Sequence, residues 1–390
     1  MRSPRPIVPP MYRPLARVSA TLLLVLALAD PASARSPVHI GMLPSGPVDG
    51  ITDVAGVKVG HVTKVEGSDV RTGATGVLPN DNIWDERVAA AQWTLNGNGA
   101  LTNAHWINES GFLEEPIVLT DTLDVGRAYD GVIDWQIEHH PQIGLRDDVP
   151  LPVVAECDDQ GINAIQKRVV GPRDVVAMLD AAKSGDFPRG NVGAGTGMRA
   201  FGFAAGIGSA SRVLPKESGG YTVGVLVNAN TAVRTQLVID GVHVGQAFAN
   251  DLLPVYPRTA AFVPTHGRAA DGSIIVVVAT DAPVDHTALT AIAKRTALGL
   301  ARSGSDSFTS SGDLMIAFST THRYPRSGGI AGPPVVSDGS ILNGLYQATA
   351  DATEEAIDDA LFSAHTITGR AGVTYYNLPY DRVRPLLVAR

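Results

Sequence analysis

Two serines, two acids and one asparagine stand in this chain where polarity is costly: Ser273, Ser311, Glu156, Asp313 and Asn230. Asp271-Gly272-Ser273 ends a polar stretch and opens the apolar run SIIVVVAT. Gly272 has no side chain to hinder attack on its own carbonyl. The Ser273 hydroxyl can reach that carbonyl, the arrangement needed for an N-to-O acyl shift followed by hydrolysis. A break there would leave Ser273 with a hydroxyl and a free α-amine, which titrates at about pH 7.7–8.0, where a general base is useful. Ser311-Gly312-Asp313 supplies a second hydroxyl and a carboxylate at the entry to LMIAFST, Glu156 ends PVVAE, and Asn230 follows VGVLVNA. The Asn230 amide could aim an N–H at a developing oxyanion. Each feature also has a plain reading: Gly-Ser before a strand is a routine turn, Ser311 a turn hydroxyl, Glu156 and Asp313 solvated carboxylates at strand ends, and Asn230 a turn residue.

Competing chemistries lack their residues. No G-x-S-x-G elbow, H-E-x-x-H pair or G-x-x-x-x-G-K-[ST] loop occurs. Gly195, Gly197 and Ala200 fit G-x-G-x-x-A within the run Gly190–Gly208, but FPRGNV precedes them instead of a strand, so these glycines read as sites of close backbone packing. His139 and His140 point apart on a helix or a strand, and a single cysteine, Cys157, argues against a structural zinc site. Neither a metal nor a cofactor is expected.

The elements that must position these residues are short apolar runs rich in β-branched side chains: Val223–Asn228, Gln236–Asp240, Ser273–Thr280, Leu314–Thr320, and runs near Ile117 and Val154. These read as strands buried on both faces. Helical patterns alternate with them. Leu289, Ile292, Ala293, Thr296 and Leu300 share a face, with Asp285 as N-cap and Gly304 past the end. A second helix is expected from about Asp351, with Glu354 completing a capping box, and a third over DVVAMLDAA from Asp174. Strands buried on both faces require cover on either side, which predicts a layered α/β architecture. Two polar connections stand out, Ala301–Gly312 and Pro264–Gly272, the latter a natural place for a chain break.

The first 34 residues carry Arg2, Arg5, Arg13 and Arg17, an apolar run from Ala20 to Ala29, and Ala32-Ser33-Ala34. Together these read as a secretory signal peptide cut after Ala34. The apolar run is about 10 residues, too short for the roughly 20 of a membrane-spanning helix. The mature protein is therefore expected to be secreted or periplasmic, with no membrane attachment. Removing four arginines and Asp30 takes the formal charge from −8 to −11, which disfavours nucleic acid and anionic membranes as partners. Cys157 has no disulfide partner within the chain, so the fold must stand on its core; 390 residues with 44% hydrophobic composition suffice for a large one.

Eight segments in order resemble the L-aminopeptidase/D-esterase family, which includes the β-peptidyl aminopeptidases: GITDVAGVKVGHVT from Gly50, RTGATGVLPN from Arg71, NGNGALT from Asn96, PVVAE from Pro152, GNVGAGTGM from Gly190, VGVLVNAN from Val223, DGSIIVVVATDAP from Asp271 and SSGDLMIAFST from Ser310. The resemblance implies an α/β/β/α sandwich related to N-terminal-nucleophile hydrolases. It also implies self-cleavage between Gly272 and Ser273 into associated fragments 35–272 and 273–390, and a homo-oligomer. Ser273 matches the family's nucleophile, Ser311 and Asp313 its S-G-E motif, Asn230 its oxyanion asparagine, and Glu156 the glutamate that holds the substrate's free ammonium. The implied substrates are short peptides, amides or esters with a free N-terminal β-, L- or D-residue.

Two departures stand out. Asp313 replaces the family's glutamate and is one methylene shorter, so its link to Ser311 must be closer or bridged by water. Relatives often read E-T-Y-D-G-Y-L-N-D where this chain has Glu156-Cys157-Asp158-Asp159-Gln160-Gly161-Ile162-Asn163, placing Asp158 at the tyrosine. A carboxylate cannot donate to an oxyanion as a phenol can; it strengthens a cation site or admits a basic substrate side chain. Two other functions fit the same residues: an aminoacyl transferase on this fold, revealed by a competing amine acceptor, and a non-catalytic exported binding protein, revealed by an uncleaved chain.

Overall fold

The computed structural model describes residues 36–257 and 272–388, so the signal-peptide reading and positions 264–271 of the polar connection lie outside the described residues. The N-terminal part supplies β1 (Lys58–Glu66), β2 (Val70–Leu78), β3 (Glu86–Gly97), α1 (Ala104–Ser110), β4 (Phe112–Leu113), β5 (Ile117–Thr120), α2 (Val125–His139), β6 (Val153–Glu156) and α3 (Pro172–Asp180). Then come the hairpin β7 (Arg199–Ala200) and β8 (Phe203–Ala204), β9 (Ile207–Val213), β10 (Thr222–Asn230) and α4 (Val244–Ala247). The C-terminal part holds β11 (Ser273–Thr280), α5 (His286–Arg302), β12 (Gly312–Pro325), α6 (Gly339–Phe362), β13 (Ile367–Thr368), β14 (Thr374–Tyr375) and α7 (Tyr380–Val388).

Two sheets organise the core, β1-β2-β5-β6 and β4-β3-β12-β11-β10-β9. Strand alternation then assigns four layers. Ile117 and Leu119 of β5 pack with Ile275, Val277 and Ala279 of β11 and Leu314, Ile316 and Phe318 of β12 between the sheets. On the outer face of the smaller sheet, Val118 and Val154 meet Val132 of α2 and Val175 and Leu179 of α3. On the outer face of the larger sheet, Ile274, Val276 and Val278 meet Leu289 and Ile292 of α5 and Ala352 and Ile357 of α6. The result is the expected α/β/β/α sandwich, each fully buried Val or Ile contributing about 1.5–3 kcal/mol.

The helix ends follow from local chemistry, with one correction. Asp285 accepts from the Ala288 amide at 3.0 Å to start α5, and Gly304, at φ +99°, lies just past its end. Helix α6, however, begins twelve residues before the expected Asp351, capped by Asp338, which accepts from the Ser340 and Ile341 amides. Asp351 and Glu354 are buried in the helix interior, where Arg302 pairs with Asp351 at 2.6 Å, so they form no capping box. The expected strand at Gln236–Asp240 is also absent: a 3-10 turn spans Arg234–Gln236 and Ile239 bridges back to Val242. The glycine run serves close packing, since a Cβ on Gly208 would lie 1.9 Å from the Ala356 carbonyl of α6.

Candidate active site

Ser273 is the first residue of β11, directly opposite Asn230 on β10 and Gly312 on β12. It is 6% exposed, and its Oγ has no hydrogen-bond partner among the described residues. The residue before Ser273 and its partner on β12 both have to be glycine. A Cβ on Gly272 would lie 2.5 Å from the Asn230 carbonyl oxygen and 2.7 Å from Thr231 Cα; one on Gly312 would lie 2.4 Å from the Asn98 carbonyl oxygen. That closeness brings the Gly312 amide to 3.3 Å from the Gly272 carbonyl oxygen, to which it donates.

Ser311 and Asp313 reach the same place from the start of β12. Ser311 Oγ donates to Asp313 Oδ1 over 2.5 Å, the direct contact of the two arrangements the shorter acid allowed. Burial raises the Asp313 pKa, opposed first by Ser311 and then by Ser307, Asn96 and the Ile274 amide. The end of β3 fixes this turn: Asn98 Nδ2 donates to the Ser310 carbonyl at 2.7 Å, and Asn96 Nδ2 to the Ser307 and Phe308 carbonyls at 2.6 and 3.0 Å.

Glu156 arrives from the smaller sheet at the end of β6. Its Oε1 accepts from the Ala100 amide at 2.9 Å, and its Oε2 accepts from the Thr122 hydroxyl. Gly99 lies between this carboxylate and Gly312: a Cβ there would be 3.1 Å from Glu156 Oε1 and 3.5 Å from Gly312 Cα. Burial pushes the Glu156 pKa up, the bonds from Thr122 and Ala100 pull it down, and the charge of Asp158 adds a further upward push.

Asn230 bridges the two remaining pieces. Its Oδ1 accepts from the Arg199 amide at 3.2 Å, and its Nδ2 donates to the Asp158 carbonyl at 2.9 Å, leaving one amide N–H uncommitted among the described residues. The Asp158 carboxylate is exposed and accepts from the Gln160 amide at 2.8 Å and from the Gln160 side chain. Among the described residues, none of Glu156, Asp158 and Asp313 is ion-paired to a Lys, Arg or His, and no cluster could hold a metal ion. The structure thus brings Ser273, Ser311, Asp313, Asn230 and Glu156 near the Gly272-Ser273 junction, while Asp158 meets Asn230 through its backbone carbonyl and turns its carboxylate to Gln160. Thr122, the Ala100 amide and the Gly312 amide were not found by sequence reasoning. Two are backbone groups without a residue signature, and Thr122 meets Glu156 only through the pairing of β5 with β6.

The arrangement offers a buried hydroxyl next to a polarised carbonyl, a serine–carboxylate pair, an amide N–H donor, and carboxylates with no cationic partner among the described residues. A model of peptidase family S58 matches residues 49–375. The beta-peptidyl aminopeptidase BapA of Sphingosinicella xenopeptidilytica is 36% identical over 390 residues, covering 96% of this chain and 96% of that protein. BapA of Sphingosinicella microcystinivorans is 38% identical over 383 residues, covering 93% and 94%. The L-aminopeptidase D-Ala-esterase/amidase of Ochrobactrum anthropi, described as a prototype serine aminopeptidase and a variant of the Ntn hydrolase fold, matches with a TM-score of 0.80 at 34% identity, covering 90% of this chain and 96% of that one.

Proposed function

The chain belongs to peptidase family S58 and is a serine aminopeptidase of the hydrolase class; from that premise we propose that it cuts itself between Gly272 and Ser273 and then releases N-terminal β-, L- or D-residues from short peptides, amides or esters. The observation that carries this reading is the buried Ser273 Oγ, without a hydrogen-bond partner among the described residues, at a junction whose carbonyl accepts from the Gly312 amide.

In self-cleavage the Ser273 hydroxyl adds to the Gly272 carbonyl carbon, the peptide nitrogen departs as the Ser273 amine, and water hydrolyses the resulting ester. The Gly312 amide stabilises the oxygen on which charge develops. In turnover Ser273 attacks the substrate carbonyl, its own amine or Ser311 carries the proton with Asp313 behind Ser311, and Asn230 with backbone N–H groups holds the oxyanion. Glu156 pairs with the substrate ammonium; such a pair at about 4 Å is worth up to roughly 4 kcal/mol at an effective dielectric near 20, before desolvation. Asp158, beside it at the exposed edge, favours a basic substrate side chain.

The sheet order supports lasting association of fragments 35–272 and 273–390. Strands β11 and β12 of the second sit between β3 and β10 of the first, so separation would tear the six-stranded sheet. Export, with the leader removed after Ala34, and assembly into a homo-oligomer complete the proposal. Hydrolysis of amino-acid p-nitroanilides with a free amine, and not of their N-acetylated forms, tests it. Turnover of both forms alike, or of neither, would overturn it, and transfer to an added amine in preference to water would favour the transferase.

A further inference from the structure

Cys157, the chain's single cysteine, lies between Glu156 and Asp158 and is fully buried. Its amide donates to the Thr120 carbonyl at 3.2 Å, which ties its backbone to the smaller sheet. From there the side chain spans the gap between the sheets, and Sγ donates to the Asn228 carbonyl of β10 over 3.7 Å. Asn228 stands opposite Ile275, two residues on from Ser273, and Cys157 and Ile275 belong to the same inter-sheet core. By the alternation of β11, Ser273 faces that gap too. Burial pushes the thiol's pKa up, and the foremost influence pulling it back is the Ser273 side chain beside it.

A buried hydroxyl without a well-formed hydrogen bond has packing to fix its rotamer and little else. Ser273 Oγ is in that position. A thiol is a weak donor and a weak acceptor, and this one is directed at Asn228. It therefore gives Oγ a neighbour without a strong bond that would occupy its lone pairs or its proton. We propose that Cys157 is the positioning residue of the nucleophile: the sulfur holds Ser273 Oγ in the rotamer that attacks and leaves it free to react. This rests on the reading of Ser273 as nucleophile.

The test measures kcat and KM on a free-amine p-nitroanilide for the wild type, Cys157→Ala and Cys157→Ser, normalised to cleaved chain by intact mass, and for Ser273→Ala, normalised to total protein. Because a misplacement of about 1 Å can cost about 100-fold in rate, Cys157→Ala should lose about 10-fold or more in kcat with KM within about twofold, and the near-isosteric Cys157→Ser should return to within about threefold of wild type. Self-cleavage should follow the same order, slow in Cys157→Ala and near normal in Cys157→Ser. Wild-type kcat in Cys157→Ala, a loss carried by KM, or equal losses in both variants with lowered melting temperatures would overturn the proposal. Turnover surviving in Ser273→Ala would overturn its premise instead, a result distinct from any failure at Cys157.

Discussion

The Ser311 hydroxyl donates to Asp313 Oδ1 across 2.5 Å, with both residues buried beside the strand that Ser273 opens. In this arrangement Asp313 must be ionised to accept from Ser311 while Ser311 relays a proton. Burial raises its pKa, so kcat should fall, as pH drops, through a limb lying above the ordinary aspartate value of about 3.9. Asp313→Asn should remove that limb and lower kcat by about 100-fold or more. A pH profile of kcat for both proteins checks this; a wild-type limb at or below the ordinary value would contradict it.

Glu156 is held by the Ala100 amide and the Thr122 hydroxyl, with no cation among the described residues to neutralise it. Replacing it by Gln keeps the shape and removes the charge, so kcat/KM for free-amine substrates should fall about 10- to 100-fold, mostly through KM. In the wild type, KM should rise as pH falls through the raised Glu156 pKa. Steady-state kinetics across pH would show both effects, and an unchanged KM in Glu156→Gln would remove this residue from ammonium binding.

Asp158 is exposed and takes its hydrogen bonds from Gln160, so its charge remains available at the rim of the site. Asp158→Asn should lower the preference for a lysyl over an alanyl p-nitroanilide by about threefold to fivefold, the scale of a solvent-screened charge pair. The ratio of the two kcat/KM values reads this directly. An unchanged ratio would leave Asp158 without a part in specificity.

Asp358, near the C-terminal end of α6, is fully buried, and neither carboxyl oxygen has a hydrogen-bond partner among the described residues. Burial and then the neighbouring acids Glu354 and Glu355 push its pKa well up. The folded chain therefore keeps a proton that the unfolded chain gives up in the ordinary carboxylate range. Stability from this group is fully present below about pH 4 and is lost as pH rises toward the folded pKa. Asp358→Asn is neutral at every pH, so its melting temperature relative to wild type should climb from pH 4 to pH 9. Parallel curves would contradict this.

The layers and most central strands were legible because β-branched runs such as Ile274–Val278 leave few alternatives. Two misreadings have physical causes. Asp351 and Glu354 look like a capping box but lie inside α6, where Arg302 partners both, while the true cap, Asp338, precedes a stretch broken by Gly339 and Gly344. Leu237 and Ile239 alternate like a strand and are buried, yet the chain turns there, with Asp240 at φ +46°. Within the site, the ordered motifs made the closeness of Ser273, Ser311, Asp313, Asn230 and Glu156 legible. The contacts that orient them were not, because the Gly312 and Ala100 amides and Cys157 act between segments far apart in sequence, Cys157 across the gap between the sheets, which no local pattern encodes.

Cleavage between Gly272 and Ser273 is read directly by the intact mass of the purified protein. Wild type should give two fragments, the second beginning at Ser273 and ending at Arg390, and Ser273→Ala should give one uncut chain. A wild-type protein that stays whole, or a Ser273→Ala protein cut at the same bond, would contradict it.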